Sequence, residues 1–400
     1  MVKFFLSLIL SSVLGCGAGD AGPTKMRPAS TTEGVIPAAE RLAVYIPSLD
    51  GKNVALVVNQ TSLVRDRHLL DTLLRMGINI KTIFAPEHGI RGKASAGELI
   101  SDSRDAKTGL PVISLYGKKK KPSGVDLEGI DVVVFDIQDV GVRFYTYIST
   151  LHYVMEACAE NKVTLMVLDR PNPNGHYIDG PVLDTAFRSF VGMHPVPVVY
   201  GMTIGEYALM INGEGWLQGK KKCMLEVIPC KNYTHDSYYE LPVRPSPNLP
   251  DMRAILLYPS TCWFEGTTLS LGRGTEKPFQ YIGHPDLKSN FSFTPNPNEG
   301  AKDPPLKGQK CYGADLSHLT IGSLRDRRAM DLTYLLDFYS RMKAVNSRFF
   351  IENNFFDKLA GSDRLRKQIL DGYGEEEIRK TWKKGLETFA ILRQKYLLYP

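Results

Sequence analysis

The sequence predicts an α/β fold built on a doubly wound, mostly parallel β-sheet. Between about residues 50 and 200, short apolar runs rich in β-branched residues alternate with polar turns and amphipathic stretches. The runs are apolar at consecutive positions, which is typical of strands covered by helices on both faces. The pattern occurs at Val54–Val58, Ile80–Phe84, Val112–Leu115, Val132–Ile137 and Leu165–Leu168. Alternation of such strands with helices indicates a doubly wound sheet.

The rest of the chain predicts a second, smaller α+β domain. Thr203–Leu217 begins with a capping box and is expected to be a helix, whereas Met224–Pro229 is typical of a strand. The last predicted helix, Glu375–Leu398, has glutamates at its start and basic residues towards its end, which matches the helix dipole. We therefore place the first domain at 34–200 and the second domain at 201–400.

The N-terminal residues have the pattern of a secretion signal that ends in a cysteine. Lys3 supplies a positive charge, Phe4–Leu14 is an apolar run, and Cys16 follows Leu-Gly. A run of this length is too short for a bilayer core of roughly 30 Å. We expect residues 1–15 to be a lipoprotein signal peptide, with lipidation at Cys16 anchoring the protein to a membrane of the bacterial cell envelope, on the periplasmic or outer-membrane side. Residues 16–33 hold almost no large apolar side chain, which predicts a tether.

Composition and spacing argue against several classes of protein. The formal net charge is +6 over 400 residues, which is too mild for a nucleic-acid-binding protein. The first predicted strand is not followed by G-x-G-x-x-G, and this disfavours a dinucleotide site. The five cysteines besides Cys16 include no C-x-x-C pair, so neither a zinc site nor a redox motif is expected, and we do not expect a Cys223–Cys230 disulfide. We predict that the protein uses no cofactor.

Polar and aromatic residues follow the predicted strands. Because ligands of open α/β sheets bind beyond the carboxyl ends of the strands, these residues predict one polar site. Helix capping accounts for some of the asparagines and aspartates, but not for Gln138 or Arg143. Tyrosine rings offer flat apolar faces to sugars. We expect substrate contacts from Asn59, Gln60, Gln138, Arg143, Tyr145, Tyr147, Asp169, Arg170 and Asn172.

A carboxylate and an imidazole occupy adjacent positions of one strand-to-loop transition. Glu87 and His88 stand between Pro86, which fixes φ, and Gly89, which permits a positive φ, so the pair is held on a defined bend. Apolar neighbours would favour the protonated form of Glu87, which is the form that a general acid needs. The alternative is a surface glutamate paired with Arg91.

Three further carboxylates are candidates for a second catalytic group. Asp136 and Asp139 lie close together after a predicted strand and suit catalysis, the binding of sugar hydroxyls or a metal. Glu265 lies in a later segment with Arg273, whose guanidinium is a natural partner for a substrate carboxylate. A metal bound by His88 with the two aspartates is an alternative, but no second histidine lies nearby in the sequence, and we predict no metal.

Several long motifs give the chain a family resemblance. They include VALVVNQTS, FAPEHGIRG, DVVVFDIQDVGVRFYTYISTLHYVMEA, VLDRPNPNG, RPSPNLP and YPSTCWFEGT. With them the chain resembles the exo-acting β-N-acetylmuramidases of the NamZ type from about residue 34 to residue 400. The resemblance implies a Rossmann-like doubly wound domain with the catalytic centre, a smaller C-terminal domain, and a cleft between them. It also implies hydrolysis of a terminal, non-reducing β-1,4-linked N-acetylmuramic acid (MurNAc) from peptidoglycan-derived MurNAc–GlcNAc saccharides, with Glu87 as the catalytic residue.

The residues themselves agree with such a reaction and leave two details open. Glycoside hydrolysis normally uses two carboxyl groups, about 5 Å apart for retention or roughly 6.5–9.5 Å apart for inversion. The partner of Glu87 stays open among Asp136, Asp139 and Glu265, and sequence spacing does not give the separation. Muramic acid carries a lactyl carboxylate, for which Arg143, Arg170 and Arg273 offer cations. The alternative functions are a non-catalytic peptidoglycan-binding lipoprotein and a metal-dependent esterase or amidase acting on the same polymer.

Overall fold

A seven-stranded sheet forms the centre of the protein, whose computed structural model describes residue 1 and residues 34–87, 89–90 and 103–400. The strands of this part are β1 (Asn53–Val58), β2 (Leu63–Val64), β3 (Arg67–His68), β4 (Asn79–Ala85), β5 (Ser103–Arg104), β6 (Pro111–Ser114), β7 (Val132–Asp136), β8 (Thr164–Leu168), β9 (Leu225–Ile228), β10 (Tyr281–His284), β11 (Phe291–Phe293) and β12 (Cys311–Asp315). The α-helices are α1 (Leu42–Leu49), α2 (Leu69–Arg75), α3 (Tyr147–Asn161), α4 (Ile204–Gly213), α5 (Met252–Thr261), α6 (Ile321–Asp326), α7 (Thr333–Ala344), α8 (Phe355–Ala360), α9 (Arg364–Leu370) and α10 (Glu375–Arg393).

The central sheet has the strand order β5-β6-β4-β1-β7-β8-β9. Neighbours pair in parallel except at the edge, where β5 runs antiparallel to β6. The five strands predicted from the sequence are β6, β4, β1, β7 and β8, and they lie side by side. The prediction of a doubly wound, mostly parallel sheet is therefore confirmed.

Burial on both faces explains why these strands are apolar at every position. In β1, Ala55 and Val57 belong to one hydrophobic cluster, whereas Val54, Leu56 and Val58 belong to the other. The first cluster packs against α3 and α4, and the second packs against α1 and α2. Each fully buried valine or leucine contributes roughly 1.5–3 kcal/mol of burial free energy. Helices thus cover the sheet on both sides.

The C-terminal part forms the smaller α+β region that was predicted. It combines helices α5 to α10 with a three-stranded antiparallel sheet in the order β10-β12-β11. The predicted capping box of α4 is present, since the Thr203 hydroxyl accepts from the Glu206 amide at 3.3 Å and the Glu206 carboxylate accepts from the Thr203 amide at 2.9 Å. The last strand of the central sheet, β9, lies after residue 200, so the sheet takes one strand from the second predicted domain. The boundary at residue 200 stays a prediction.

The predicted signal and tether, including Cys16, lie outside the described residues. Across residues 34–87, 89–90 and 103–400, the structure contains no helix with the length and apolar character that a bilayer span requires.

Candidate active site

A cavity of about 170 Å³ lies beyond the carboxyl ends of β4 and β6. Its polar lining comes from distant parts of the chain and comprises Glu87, Thr146, Ser246, Asn248, Glu265 and Arg273. Aromatic rings form much of the remaining wall, among them Tyr116, Tyr145, Tyr147, Phe190, Tyr258 and Phe279. Three larger hollows, of about 600, 540 and 410 Å³, lie beside α7, beside the C-terminus and beside β3. Of the predicted site residues, Gln60 lines the hollow beside β3, and none lines the other two. We therefore take the smaller cavity as the candidate active site.

Glu87 lies in this cavity and accepts hydrogen bonds from neighbouring hydroxyls. Glu87 follows β4 and is half-buried. The Thr146 hydroxyl donates to its Oε2 at 3.3 Å, and the Tyr147 hydroxyl donates to its backbone carbonyl at 3.5 Å. Tyr116, which follows β6 closely, lines the same cavity, and the charge of Glu87 raises the pKa of its phenol. The described hydrogen bonds to Glu87 thus come from the start of α3.

The bend predicted around Glu87 is present. The Gly89 amide donates to the Pro86 carbonyl at 3.0 Å, which closes a turn. The φ angle of Gly89 is 71°, in the left-handed region that glycine tolerates. His88 and Arg91 lie outside the described residues, so the catalytic contribution of His88 and the alternative Arg91 pairing stay predictions.

Glu265 and Arg273 form an ion pair at the same cavity. Arg273 donates from Nε to Glu265 Oε1 at 2.9 Å, and its Nη2 contacts the same oxygen. Burial alone would lower the pKa of Arg273, but the charge of Glu265 outweighs burial and leaves that pKa raised, so the guanidinium stays charged. The two side chains keep 21% and 22% of their surface exposed. No described residue accepts a hydrogen bond from Nη1 of Arg273, so this donor is available to a ligand.

Tyrosines shape the floor of the cavity. Tyr145 and Tyr147 are buried and pack edge-to-face with ring centroids 4.9 Å apart. The Tyr145 hydroxyl donates to the Pro245 carbonyl at 2.8 Å, and the Asn59 side-chain amide donates to the Tyr147 hydroxyl at 2.9 Å. Burial and then the charge of Glu87 raise the pKa of Tyr147 above its usual value, so the phenol stays protonated.

Asp136 and Arg170 form a buried ion pair away from the cavity. Arg170 Nε lies 2.6 Å from Asp136 Oδ1, and Nη2 lies 2.9 Å from Oδ2. Asp136 has no exposed surface, and Arg170 is 3% exposed. Both carboxylate oxygens are occupied, and neither side chain lines the cavity. The catalytic role of Asp136 and the substrate contact of Arg170 stay predictions that this placement does not support.

Asp139 and Gln138 are also enclosed by the protein. Oδ2 of Asp139 accepts from the Gly141 amide at 2.7 Å and from the Tyr200 hydroxyl, and burial raises the pKa of Asp139 to about 6. The Gln138 side-chain amide donates to the carbonyls of Asp139 at 2.8 Å and Pro171 at 2.7 Å. Neither side chain lines the cavity. The structure therefore does not bring them to the cavity, and the catalytic role of Asp139 and the substrate contact of Gln138 stay predictions.

Arg143 lies in the core rather than in the cavity. Its guanidinium donates to four backbone carbonyls, those of Pro181 and Val196 at 2.7 Å and those of Leu359 and Ala360 at 2.9 Å. Burial lowers the pKa of Arg143 to about 9. The side chain has no exposed surface and joins the first part of the chain to α8. Its contact with a substrate carboxylate stays a prediction that this placement does not support.

The remaining predicted contacts also serve the scaffold. The Asn59 side-chain carbonyl accepts from the Thr61 amide at 2.9 Å, and the Gln60 side-chain amide donates to the Pro245 carbonyl at 3.0 Å. The Asn172 side-chain amide donates to the Met202 carbonyl at 2.8 Å. None of the three lines the cavity, although Asn59 donates to the hydroxyl of Tyr147, which does. Their substrate contacts stay predictions.

Asp169 anchors the C-terminus. Its carboxylate accepts from the hydroxyls of Tyr399 at 2.6 Å and Thr203 at 2.7 Å, and from the Gly205 amide at 2.8 Å. Burial raises the pKa of Asp169 to about 7, even though these donors act in the opposite direction. The side chain is fully buried and does not line the cavity, so its contact with substrate stays a prediction that this placement does not support.

The cavity thus brings together Glu87, Tyr145, Tyr147, Glu265 and Arg273 of the predicted residues. Sequence reasoning missed Tyr116 and Thr146, although Tyr116 directly follows a predicted strand and Thr146 stands between two predicted tyrosines. Phe190 was missed because nothing in its surrounding loop distinguishes it. Within residues 34–87, 89–90 and 103–400, no group of three or more His, Cys, Asp or Glu side chains is placed to hold a metal ion.

Comparison with known proteins gives matches over nearly the whole chain. The family model described as "Exo-beta-N-acetylmuramidase NamZ, N-terminal" matches residues 54–253, and its C-terminal counterpart matches residues 256–399. The "Peptidoglycan beta-N-acetylmuramidase NamZ" of Bacillus subtilis (strain 168) is 39% identical over 388 residues, which cover 89% of each protein.

Two crystal structures of DUF1343 family proteins from Bacteroides fragilis NCTC 9343 have the same fold. One is 47% identical to this chain with a TM-score of 0.85, and the other is 29% identical with a TM-score of 0.76. In both cases the match covers 92% of this chain and 99% of the other.

Proposed function

This chain belongs to the NamZ family of exo-β-N-acetylmuramidases, and we propose that it is a glycoside hydrolase that removes N-acetylmuramic acid from peptidoglycan fragments. The relative that is 39% identical carries the name of a peptidoglycan β-N-acetylmuramidase. The observation that carries the proposal is that two glutamates from distant parts of the chain, Glu87 and Glu265, meet in one aromatic-walled cavity. Two carboxyl groups are what glycoside hydrolysis normally requires.

Glu87 is the general acid in this proposal. It lies on a turn that closes directly after β4, and the Thr146 hydroxyl donates to its carboxylate. As the glycosidic C1–O bond breaks, the electron pair stays on the leaving oxygen, which takes the proton of Glu87. A general acid placed in this way contributes typically about 10²–10⁴-fold to the rate.

Glu265 is the partner carboxylate. Asp136 and Asp139 were the other candidates, and both are enclosed and bonded within the protein. Arg273 donates to one oxygen of Glu265, and this charged hydrogen bond orients the carboxyl group. An ionised carboxylate can stabilise positive charge at C1 or activate a nucleophile there. Glu87 therefore acts as the acid, and Glu265 acts as the base or nucleophile.

Arg273 is the receptor for the lactyl carboxylate of muramic acid. Of the three arginines considered from the sequence, Arg143 and Arg170 are buried and hydrogen-bonded in the interior, whereas Arg273 lines the cavity and keeps Nη1 available. The substrate class that fits is therefore a terminal, non-reducing β-1,4-linked MurNAc in MurNAc–GlcNAc saccharides. A cavity of about 170 Å³, rather than a long open groove, suits attack at a chain end.

The activity test is release of the aglycone from a chromogenic β-MurNAc glycoside by the purified protein, with a metal chelator present. Release under these conditions supports the proposal. No release of the aglycone, with metal-dependent hydrolysis of an ester or amide bond in the same material, would favour a metal-dependent esterase or amidase. Binding of MurNAc–GlcNAc without release would favour a non-catalytic peptidoglycan-binding protein.

Attachment to the cell envelope belongs to the same proposal. Its support is the sequence pattern in which an apolar run precedes Leu-Gly and Cys16. A lipid at Cys16 would keep the enzyme on the periplasmic or outer-membrane side, where peptidoglycan fragments are found. Cys16→Ala should leave the precursor unprocessed and shift the protein out of the membrane fraction. A mature N-terminus mapped by mass spectrometry to another residue would refute the lipid anchor without affecting the proposed activity.

A further inference from the structure

The loop that carries Arg273 runs from Leu271 to Phe279 and closes on itself. The Phe279 amide donates to the Leu271 carbonyl at 2.7 Å, so the two ends of the loop are joined. Within the loop, the Thr275 amide donates to the Gly272 carbonyl at 3.0 Å, which closes a turn around Arg273. Arg273 is thus presented by a short loop whose shape is fixed by its own backbone hydrogen bonds.

Phe279 has a backbone conformation that is unusual for an aromatic residue. Its φ angle is 60°, in the left-handed region, where the β-carbon of any residue other than glycine is crowded. Its side chain is 1% exposed and lines the cavity. Residues held in such conformations cluster at functional sites, where the surrounding structure fixes them. Glycine would fit this backbone better, so the phenyl ring has a role that the backbone alone does not explain.

The Phe279 ring contacts both Arg273 and Tyr258. The guanidinium carbon of Arg273 lies over the ring, 5.0 Å from its centroid, which is the geometry of a cation–π contact. The Tyr258 ring packs edge-to-face on Phe279 with centroids 4.9 Å apart, and Tyr258 is itself buried. Arg273 also donates to Glu265 from Nε and Nη2. The ring and the carboxylate therefore fix the guanidinium, and Nη1 is the nitrogen left for a ligand.

We propose that Phe279 is a positioning residue that sets the preference for muramic acid by orienting Arg273 towards the lactyl carboxylate. This inference rests on the proposed role of Arg273. A planar guanidinium recognises a carboxylate through its orientation as well as its charge. The Phe279 ring restrains the plane of the guanidinium before substrate arrives, and a preformed orientation reduces the entropy that binding costs. The contact therefore acts on KM for MurNAc glycosides rather than on bond breaking.

The test is Phe279→Leu, which removes the aromatic face and keeps an apolar side chain. We expect the ratio of kcat/KM for a β-MurNAc glycoside to that for the β-GlcNAc glycoside to fall about 3- to 10-fold, because a partly buried cation–π contact is lost. The change should come mainly from KM for the MurNAc glycoside. Phe279→Tyr keeps the aromatic face and should restore the ratio. Phe279→Met, an unbranched side chain without a ring, should behave like Phe279→Leu and replaces it if leucine disturbs folding.

The matched control is Phe338→Leu in α7. Phe338 is also buried, and the guanidinium carbon of Arg341 lies over its ring, 4.8 Å from the centroid. Neither of these two residues lines the cavity. Phe338→Leu should therefore leave the ratio unchanged, which separates loss of the Arg273 contact from loss of a buried ring in general. Thermal unfolding of each variant shows whether it is folded.

Three outcomes would overturn the inference. An unchanged ratio in Phe279→Leu and Phe279→Met would show that the ring does not serve recognition. An equal loss on both sugars would make Phe279 a structural support only. A ratio that falls as far in Phe279→Tyr as in Phe279→Leu would show that the aromatic face is not what matters. If Arg273→Met itself keeps the wild-type ratio, the proposed recognition by Arg273 fails first, and that result is distinguishable from failure at Phe279 alone.

Discussion

Two groups of polar residues follow the carboxyl ends of strands in the same sheet, and one group is buried whereas the other lines a cavity. Those after the central strands β7 and β8, represented by Asp136 and Arg170, bond to one another inside the protein. Glu87, after β4, instead faces a cavity together with Glu265 and Arg273 from beyond α5. The sequence signal is the same in both groups. A polar residue after a buried strand thus locates the functional edge of a sheet, but the partner it finds decides whether it holds the scaffold or meets a ligand.

The largest expected effect comes from Glu87→Gln. The variant keeps the shape and hydrogen-bonding capacity of the side chain but has no proton to give to the leaving oxygen. We expect kcat on the natural disaccharide to fall about 10²–10⁴-fold, with binding nearly unchanged and a much smaller loss on an activated aryl glycoside. The control is Glu160→Gln, at the far end of α3, where the carboxylate pairs with Lys121. Near-wild-type kcat in Glu87→Gln would show that Glu87 is not the general acid, and the cavity residues would then no longer differ in function from the buried ones.

Asp136→Asn tests the scaffold side. Arg170 would keep its buried charge and lose its partner, and breaking a buried ion pair in this way costs about 3–5 kcal/mol. We expect the free energy of unfolding in a denaturant titration to fall by that amount. Glu376→Gln breaks an exposed pair with Lys380, in which both side chains are mostly exposed, and should cost about 0–1 kcal/mol. Unchanged stability with lost turnover would move Asp136 into the catalytic machinery.

The sequence predicts the strands better than it predicts these partners. A strand buried on both faces must be apolar throughout. The strands β1, β4, β6, β7 and β8 can therefore be recognised from their own residues alone. Arg143 is a residue whose partners could not be predicted from the neighbouring sequence. Its acceptors lie 38, 53, 216 and 217 residues away along the chain, and an arginine that binds backbone carbonyls looks the same in sequence as one that awaits a substrate.

The site was predicted in part for the same reason. Glu87 could be identified because proline and glycine frame it on a bend, and Glu265 could be named only as one of three carboxylates. The choice among the three depends on which of them the fold encloses. That choice is made by long-range contacts, such as the pairing of Arg170 with Asp136 across 34 residues.

Asp139 gives the scaffold side a pH dependence. Burial raises its pKa from 3.8 to about 6 in the folded state. The folded protein therefore holds this proton more tightly than the unfolded chain, so the contribution of Asp139 to stability is present below about pH 4 and is lost as the pH rises through 6. At about 1.4 kcal/mol per pKa unit, the loss is roughly 3 kcal/mol.

The measurement is the free energy of unfolding between pH 4 and pH 7 for the wild type and for Asp139→Asn. Asparagine keeps an oxygen that can accept from Tyr200 and Gly141 and does not titrate. We expect the difference between the two proteins to change in favour of the variant as the pH rises through this window. A difference that is independent of pH would mean that Asp139 is ionised throughout, and its enclosure would then no longer separate it from the cavity carboxylates.

Arg273 gives the smallest expected effect and sharpens the comparison most, because it belongs partly to both groups. It holds Glu265, as a scaffold arginine would, and it leaves Nη1 to the cavity, as a receptor would. In Arg273→Met, loss of the contact with Glu265 should reduce turnover of MurNAc and GlcNAc glycosides alike. Loss of the lactyl contact should raise KM for the MurNAc glycoside alone, by about 10- to 150-fold, which corresponds to about 1.5–3 kcal/mol for a charged hydrogen bond. The ratio of kcat/KM for the two sugars therefore isolates substrate recognition from the support of Glu265. A ratio unchanged from the wild type would place Arg273 with Arg170, as a residue whose charge serves only another carboxylate of the protein.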